Sequence, residues 1–188
     1  MPIQVDRDQQ RAHVMSLATG LVAAEGVAAL TFRRVAEAGG TSTAIVSTYF
    51  ADKRDLLLST LAAAAARTSV RFEAAASRGA GLQECLEAWL PLDAERLADW
   101  RVIIAFWGVA VADPELAEVQ QGHVSRARTR VERRLKAERS GRPSAVLARE
   151  IVALTLGIAL QAAFGPAASV RGQRRLLADG LRRLLAEA

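Results

Sequence analysis

Residues 30–61 read LTFRRVAEAGGTSTAIVSTYFADKRDLLLSTL, and their pattern decides the fold. Thr31 is a good N-cap, and a short amphipathic helix follows it to Ala38, before Gly39-Gly40. Ser42 can cap a second short helix carrying Thr43 to Thr48. That helix has small hydroxyl side chains on one side and Ile45, Val46 and Phe50 on the other. Tyr49, Phe50 and Lys53 come next, and Asp52 can cap a long helix with Asp55 in its first turn. Two short helices joined by a Gly-containing turn form a helix-turn-helix, which lays its second helix in the DNA major groove.

Outward from this stretch the pattern stays helical. A first helix is expected over about Asp6 to Glu25, with Val14, Leu17, Ala18 and Leu21 at helical spacing and Gly26 as its stop. The long helix after Asp52 runs through an alanine-rich stretch to about Ser77, and Ser77-Arg78-Gly79-Ala80-Gly81 is a linker. Further helices are expected to about Trp89, over Asp93 to Val111, from Asp113-Pro114-Glu115 to about Arg139, to Phe164, and over Val170 to Ala186. Ser140-Gly141-Arg142-Pro143 and Gly165-Pro166 are the expected breaks. With 51% hydrophobic and 5% aromatic residues, and no period-2 alternation, the expectation is an all-α fold of about nine helices and no sheet. Residues 1–54 would form a three-helix head and residues 55–188 a helical body.

Net charge is +5 and the sequence pI about 10.5, which points toward nucleic acid. The distribution of charge weakens that inference. In residues 1–60, Arg7, Arg11, Arg33, Arg34, Lys53 and Arg54 are balanced by Asp6, Asp8, Glu25, Glu37, Asp52 and Asp55. The excess lies further on, notably Arg126, Arg128, Arg130, Arg133, Arg134, Lys136, Arg139 and Arg142 against Glu132 and Glu138, most of them in the seventh helix. Its bland reading is a solvated face, and its sharper one a nucleic-acid surface without sequence preference. The single cysteine, Cys85, reads as a small buried apolar residue, and a chain without a disulfide framework fits a reducing cytoplasm. The N-terminal stretch is polar and of mixed charge, unlike a signal peptide. Ile151 to Val170 is interrupted by Gln161 and Gly165-Pro166, which leaves it short for a bilayer. His13, His123 and one cysteine offer no nucleophile with its base, no metal cluster and no phosphate-binding glycine loop, so neither an enzyme nor a cofactor is expected.

The exposed side of the third helix offers Thr43, Ala44, Ser47 and Thr48. Hydroxyls can bond base edges or phosphates, and an alanine methyl can meet a thymine methyl. Tyr49 and Lys53 stand just beyond, and Arg33 and Arg34 open the second helix, whose positive end suits phosphate. The plainer alternative is a helical hairpin with a solvated polar face. Thr31, Val35-Ala36, Gly40, Ser42, Tyr49-Phe50, Lys53 and Leu56-Leu57 resemble, in order and spacing, the DNA-binding domain of the TetR family of bacterial transcriptional regulators. The stretch Ser42 to Phe50 most resembles the BetI-like branch, and Trp100 to Leu116, with Phe106-Trp107 and Asp113-Pro114-Glu115-Leu116, resembles that branch's ligand-binding domain more loosely. Ala44 stands where the family usually has glycine, and Thr41 where it usually has valine, half-buried behind the turn.

The resemblance implies a cytoplasmic, ligand-released repressor that binds a palindromic DNA operator as a homodimer. It implies that Thr43, Ala44 and Ser47 face bases. Arg33, Thr48, Tyr49 and Lys53 would face phosphates, or for Arg33 alternatively a base, with Ser42 beside them at the start of the helix. In the body, Trp89, Trp100, Phe106 and Trp107 hold most of the aromatic surface, and Trp100 and Trp107, seven apart, share a helix face. The family resemblance implies a largely apolar ligand cavity there, for which Trp89, Trp100, Ile103, Trp107 and Phe164 are candidates, with Gln120, His123 and Gln161 as polar contributors; ordinary core is the alternative for each. The branch resemblance adds an aromatic cage for a quaternary ammonium ligand. Helix 8, apolar nearly all round, must be buried on every side. With the Leu176, Leu177, Leu181, Leu184, Leu185 stripe of helix 9 it reads as a homodimer interface forming a four-helix bundle, a purely intramolecular core being the alternative.

Overall fold

The computed structural model describes residues 2–138, 144–165 and 169–186. Among them are nine α-helices, one 3-10 turn (Val27–Ala29) and no strand. The helices are α1 (Pro2–Glu25), α2 (Phe32–Ala38), α3 (Thr43–Tyr49), α4 (Lys53–Ser77), α5 (Leu82–Glu87), α6 (Ala94–Ala110), α7 (Pro114–Glu138), α8 (Ser144–Phe164) and α9 (Val170–Ala186). The breaks expected at Ser140-Gly141-Arg142-Pro143 and at Pro166 lie outside the described residues. α1 begins earlier than the expected Asp6, and α5 stops at Glu87, short of Trp89.

Short-range capping sets most of the boundaries. The side chains of Thr31, Asp52 and Asp93 accept hydrogen bonds from the backbone N–H groups of Arg34, Asp55 and Arg96. Asp113 Oδ1 accepts from the N–H groups of Glu115 and Leu116, with Pro114 as the first helical residue. Gly26 leaves α1 at φ 82, a left-handed conformation that suits glycine.

Two apolar cores share two helices. The first joins Val14, Ala18 and Val22 of α1 to Val35, Val46 and Phe50, and to Leu56, Leu57, Leu61 and Ala64 of α4. It also takes in Val102, Phe106 and Ala110 of α6, so body residues complete the core beneath the head. The second core contains Phe72 and Ala75 of α4, Trp100 of α6, and residues of α5, α7, α8 and α9. α4 and α6 thus run through both cores. α9 approaches α8 closely at Gly180, where any Cβ would collide with the Leu154 side chain.

Polar ties fix α4 against its neighbours. Asp99 of α6 has a side chain only 1% exposed. It receives Arg67 Nε at 2.8 Å and Arg71 Nη2 at 2.7 Å, both from α4. Arg67 also reaches Thr19 Oγ1 of α1 at 3.3 Å. In the first turn of α4, Arg54 Nη1 bonds Asp113 Oδ2 at 2.8 Å and Nη2 bonds Glu115 Oε2 at 2.7 Å.

α8 departs from the expectation. One face is buried, with Ile151, Val152, Ile158 and Ala159 in the core and the Thr155 hydroxyl donating to the Ile151 carbonyl. The opposite stripe of Val146, Arg149, Ala153, Gly157, Leu160 and Phe164 is exposed or half-buried. Burial on every side is therefore not achieved within one chain. α8 from Ala145 to Phe164 is long and apolar enough to cross a membrane by length and composition, and 44% of it is buried within the protein. The α9 stripe divides as well: Leu177 and Leu181 are core residues, while Leu176 is exposed.

Two outcomes follow from these ties. Asp99→Ala leaves two arginines facing a vacated apolar site and should cost about 3 kcal/mol. Arg67 and Arg71 keep some contact with water, which holds the loss to the lower part of the range for buried pairs. A lower urea midpoint at unchanged slope would register it, and an unchanged midpoint would refute it. Arg54, then the Leu116 N–H, hold the Asp113 carboxyl below its ordinary range. A carboxyl held down in the fold stabilises above its unfolded pKa of about 3.9, and that contribution is lost as pH falls through the folded value. Asp113→Asn keeps a good cap but removes the charge, so it should lower Tm at pH 7 and leave it unchanged near the acid limit.

Candidate nucleic-acid interface and body cavity

The turn between α2 and α3 depends on both glycines, for different reasons. Gly40 has φ 59, which turns the chain. A Cβ on Gly39 would stand 2.7 Å from Leu17 Cδ1, so the missing side chain lets α1 pack against the turn. The Thr41 N–H then donates to the Ala36 carbonyl at 2.9 Å, and Thr41 is half-buried as expected.

Val46 and Phe50 anchor α3 in the head core and leave Ser42, Thr43, Ala44, Ser47 and Thr48 exposed along its outer side. Two details differ from the sequence reading. Ser42 occupies the N-cap position, but its hydroxyl makes no capping bond; its carbonyl, accepting from the Ile45 and Val46 N–H groups, starts the helix. Ile45, expected on the inner side, is 44% exposed, because a step of about 100° from Val46 carries it off the buried face.

The outer hydroxyls are already engaged. Ser47 Oγ donates to the Thr43 carbonyl at 2.9 Å, and Thr48 Oγ1 to the Ala44 carbonyl at 3.0 Å. Their protons point into the helix and their lone pairs outward. The Tyr49 hydroxyl donates to Gln10 Oε1 of α1 at 2.6 Å. Arg33 is paired with Glu37 at 2.8 Å and Arg34 with Glu25 at 2.7 Å. Lys53 is exposed, with no carboxylate at ion-pair distance among the described residues. Arg11 of α1 lies 5.4 Å from the Phe50 ring centroid and adds a cation at this edge. Sequence spacing did not single out Arg11, since its partner is far along the chain.

In the body a cavity of about 90 Å³ opens among α4, α6, α7 and α8. It gathers six of the eight expected residues: Trp89, Trp100, Ile103, Trp107, Gln120 and His123. Gln161 and Phe164 are not among them. Both are exposed, Phe164 to 76%, because the buried stripe of α8 turns them to the opposite side. Trp100 Nε1 donates to the Trp89 carbonyl at 2.5 Å, and its ring meets Trp107 edge-on with centroids 6.3 Å apart. Trp89 stacks on Phe72 at 4.7 Å. Leu61, Ala65, Thr68 and Ser69 of α4 form another wall.

The sequence reading missed Arg126 and Arg130, which also line the cavity. Positions 120, 123, 124, 127 and 130 follow helical spacing, and that periodicity was the available signal. α7 is thus more than a solvated face. Arg130 and Arg133 bond Glu73 at 3.2 and 2.7 Å, Arg134 pairs with Glu138, and Lys136 with Glu132. His123 Nδ1 lies 3.1 Å from Arg126 Nη2. Burial, then Arg126 and Arg130, push the His123 pKa below its usual value, so the ring is neutral at pH 7 and its Nδ1 accepts.

Cys85 is fully buried, and burial pushes its thiol pKa up, which makes it a poor nucleophile. Among the described residues no cluster of three His, Cys, Asp or Glu side chains is placed to hold a metal.

Comparison with known proteins agrees with this geometry. No curated protein matches the chain. Several solved structures share its fold. A transcriptional regulator from Rhodococcus sp. Rha1 is 23% identical over 95% of this chain and 97% of that one, with a TM-score of 0.85. A protein from Saccharomonospora viridis, described as a transcriptional regulator and solved in complex with choline, is 22% identical over 93% and 96%, with a TM-score of 0.75. A TerR/AcrR-family transcriptional regulator from Aquifex aeolicus VF5 is 14% identical over 93% and 99%, with a TM-score of 0.77. Residues 14–60 match the family described as bacterial regulatory proteins, tetR family. Residues 78–186 match the family described as BetI-type transcriptional repressor, C-terminal. With a helix-turn-helix head and a BetI-type body in one chain, the protein belongs to the TetR family of bacterial transcriptional regulators.

Proposed function

We propose that the protein is a ligand-released repressor that binds a palindromic operator as a homodimer. The observation that carries this reading is the position of the cavity: its wall includes Leu61, Ala65, Thr68 and Ser69 of α4, the helix that begins at Lys53 directly behind α3. Residues 1–54 act as the reading head, and residues 55–188 bind effector and partner. On DNA, Thr43, Ala44 and Ser47 face bases, and Arg33, Ser42, Thr48, Tyr49 and Lys53 lie along the backbone. Arg33 and Tyr49 exchange Glu37 and Gln10 for phosphate as the head docks. This work takes place in the cytoplasm, beside the operator.

The ties on α4 suggest how release operates. Arg54 holds its first turn to Asp113 and Glu115, and Arg67 and Arg71 hold its middle to Asp99. The cavity wall lies between these two points. At about 90 Å³ it is smaller than the ~150 Å³ cavity known to admit benzene, so a drug-sized effector must widen it. Widening displaces α4 and changes the spacing of the two heads. The effector drives release only to the extent that it binds the widened state more tightly than the DNA-bound one.

The outward stripe of α8 supports dimerisation. Ala153 and Gly157 are small at its centre, and nothing lies within 4 Å of a Cβ position on Gly157. Val146 and Phe164 flank them, with Leu176 of α9 also exposed. A second copy laid on this stripe completes a four-helix bundle and brings two heads to two half-sites. The rival reading, unspecific binding through α7, loses ground because four of its cations are held by carboxylates.

Selection from random duplexes should return a palindrome; enrichment without one favours the rival. On the selected duplex, Lys53→Ala should weaken binding to all sequences and lower the salt slope by about one. Ser47→Ala should reorder preference among operator variants. If neither substitution changes affinity, α3 is not the reading helix. Light scattering at micromolar concentration should give a dimer, and Phe164→Glu a helical monomer; a monomeric parent protein would overturn the interface.

A further inference from the structure

The body cavity is chemically lopsided. Its apolar side is built from Trp89, Trp100 and Trp107, and its polar side from α7, and no aspartate or glutamate lines it. Arg126 leans back over Gly122, with its guanidinium donating to His123 Nδ1 and no carboxylate at ion-pair distance among the described residues. Arg130 has only the Glu73 carboxylate, which it shares with Arg133. Two guanidinium groups therefore reach the cavity with less than one counter-charge between them. Hydrogen bonding is equally one-sided. With Nδ1 accepting from Arg126, neutral His123 carries its proton on Nε2, a donor. The indole N–H of Trp107 is buried with no acceptor among the described residues. The Thr68, Ser69 and Gln120 oxygens are neutral acceptors, so positive charge is in surplus and no negatively charged acceptor lines the wall.

We propose that the effector is an amphipathic organic anion, with a carboxylate or similar oxyanion held by Arg126 and Arg130 and an apolar body against the tryptophans. This rests on the reading of the cavity as the effector site. Arg126 is exposed and the Arg130 side chain 24% exposed, so the charged end sits at the rim and the apolar end goes inward. Planar guanidinium groups suit a carboxylate in two-point contact. A quaternary ammonium ion would gain from the tryptophan faces, as rings attract cations. Here it would also meet two arginines with no acid in the wall to offset them. The three rings then serve as apolar surface rather than as a cation cage.

Matched sets sharing one skeleton test the assignment: benzoate, benzyl alcohol and benzylamine; octanoate, octanol and octylamine; and choline. Each is titrated into the full-length protein by calorimetry and tryptophan fluorescence. The acid of at least one set should bind at least about tenfold more tightly than its alcohol, the difference a charge-assisted contact makes. The amines and choline should bind more weakly still. Arg126→Gln and Arg130→Gln should each weaken the acid far more than the alcohol, so that the acid's advantage is lost while helicity is unchanged. Tighter binding of an amine or of choline, acid binding no better than alcohol, or no saturable acid binding would each overturn the proposal. Operator duplex added to the same titrations keeps the two readings apart. Acid binding without DNA release refutes ligand-driven release alone, and release by an amine refutes the anionic effector alone.

Discussion

A single buried carboxylate holds the two halves of this molecule in register. Asp99 has almost no contact with water and receives both Arg67 and Arg71, so α6 cannot slide along α4 without stranding three charges. A buried ion pair of this kind is weak support for stability, since its desolvation offsets much of its attraction. What it supplies is alignment. With α4 and α6 fixed at that point, Phe106 and Val102 meet the head core on one side and Trp100 meets the body core on the other. Arg67, reaching on to Thr19, extends the same tie to α1. In the proposed release mechanism, these ties are what would pass a movement of α4 to the head.

The head is nearly neutral because its arginines are already matched. Arg33 and Arg34 both hold glutamates, and the hydroxyl protons of Ser47 and Thr48 are turned inward. In the proposed reading, docking on DNA would be an exchange of partners, its net yield the difference between an internal contact and a contact with phosphate or base. Such an arrangement favours shape and side-chain chemistry over bulk attraction, in keeping with a head whose formal charges cancel.

What the sequence made legible was local. The caps at Thr31, Asp52 and Asp113, the turn at Gly39-Gly40 and the family motif depend on residues a few positions apart, and they placed the helices they delimit to within a few residues. Ser42 shows the limit even there, for the helix starts on its carbonyl while the hydroxyl stays idle. The body was less legible. Trp100 and Trp107 are legible from their spacing along one helix, and Gln120 and His123 only as polar candidates for the cavity that the family resemblance implies. Gln161 and Phe164 were misplaced, because which face of an all-round apolar α8 turns inward is decided by α7 and α9. Arg130 was passed over because Glu73, which it shares with Arg133, becomes its neighbour only after α4 and α7 pack together, and Arg126 because its local contact with His123 gains meaning only beside the cavity.

The contact between Gly39 and Leu17 constrains how a lineage of such proteins can change. Any side chain at position 39 collides with the leucine as it stands, while a smaller residue at position 17 leaves only a void. A side chain at position 39 obliges the Leu17 methyl to turn aside, and a smaller residue at 17 costs packing. Drift at this pair is therefore coupled: position 39 grows most easily once position 17 has shrunk or turned away. Two sites far apart in the sequence are bound into one historical unit, by sterics alone.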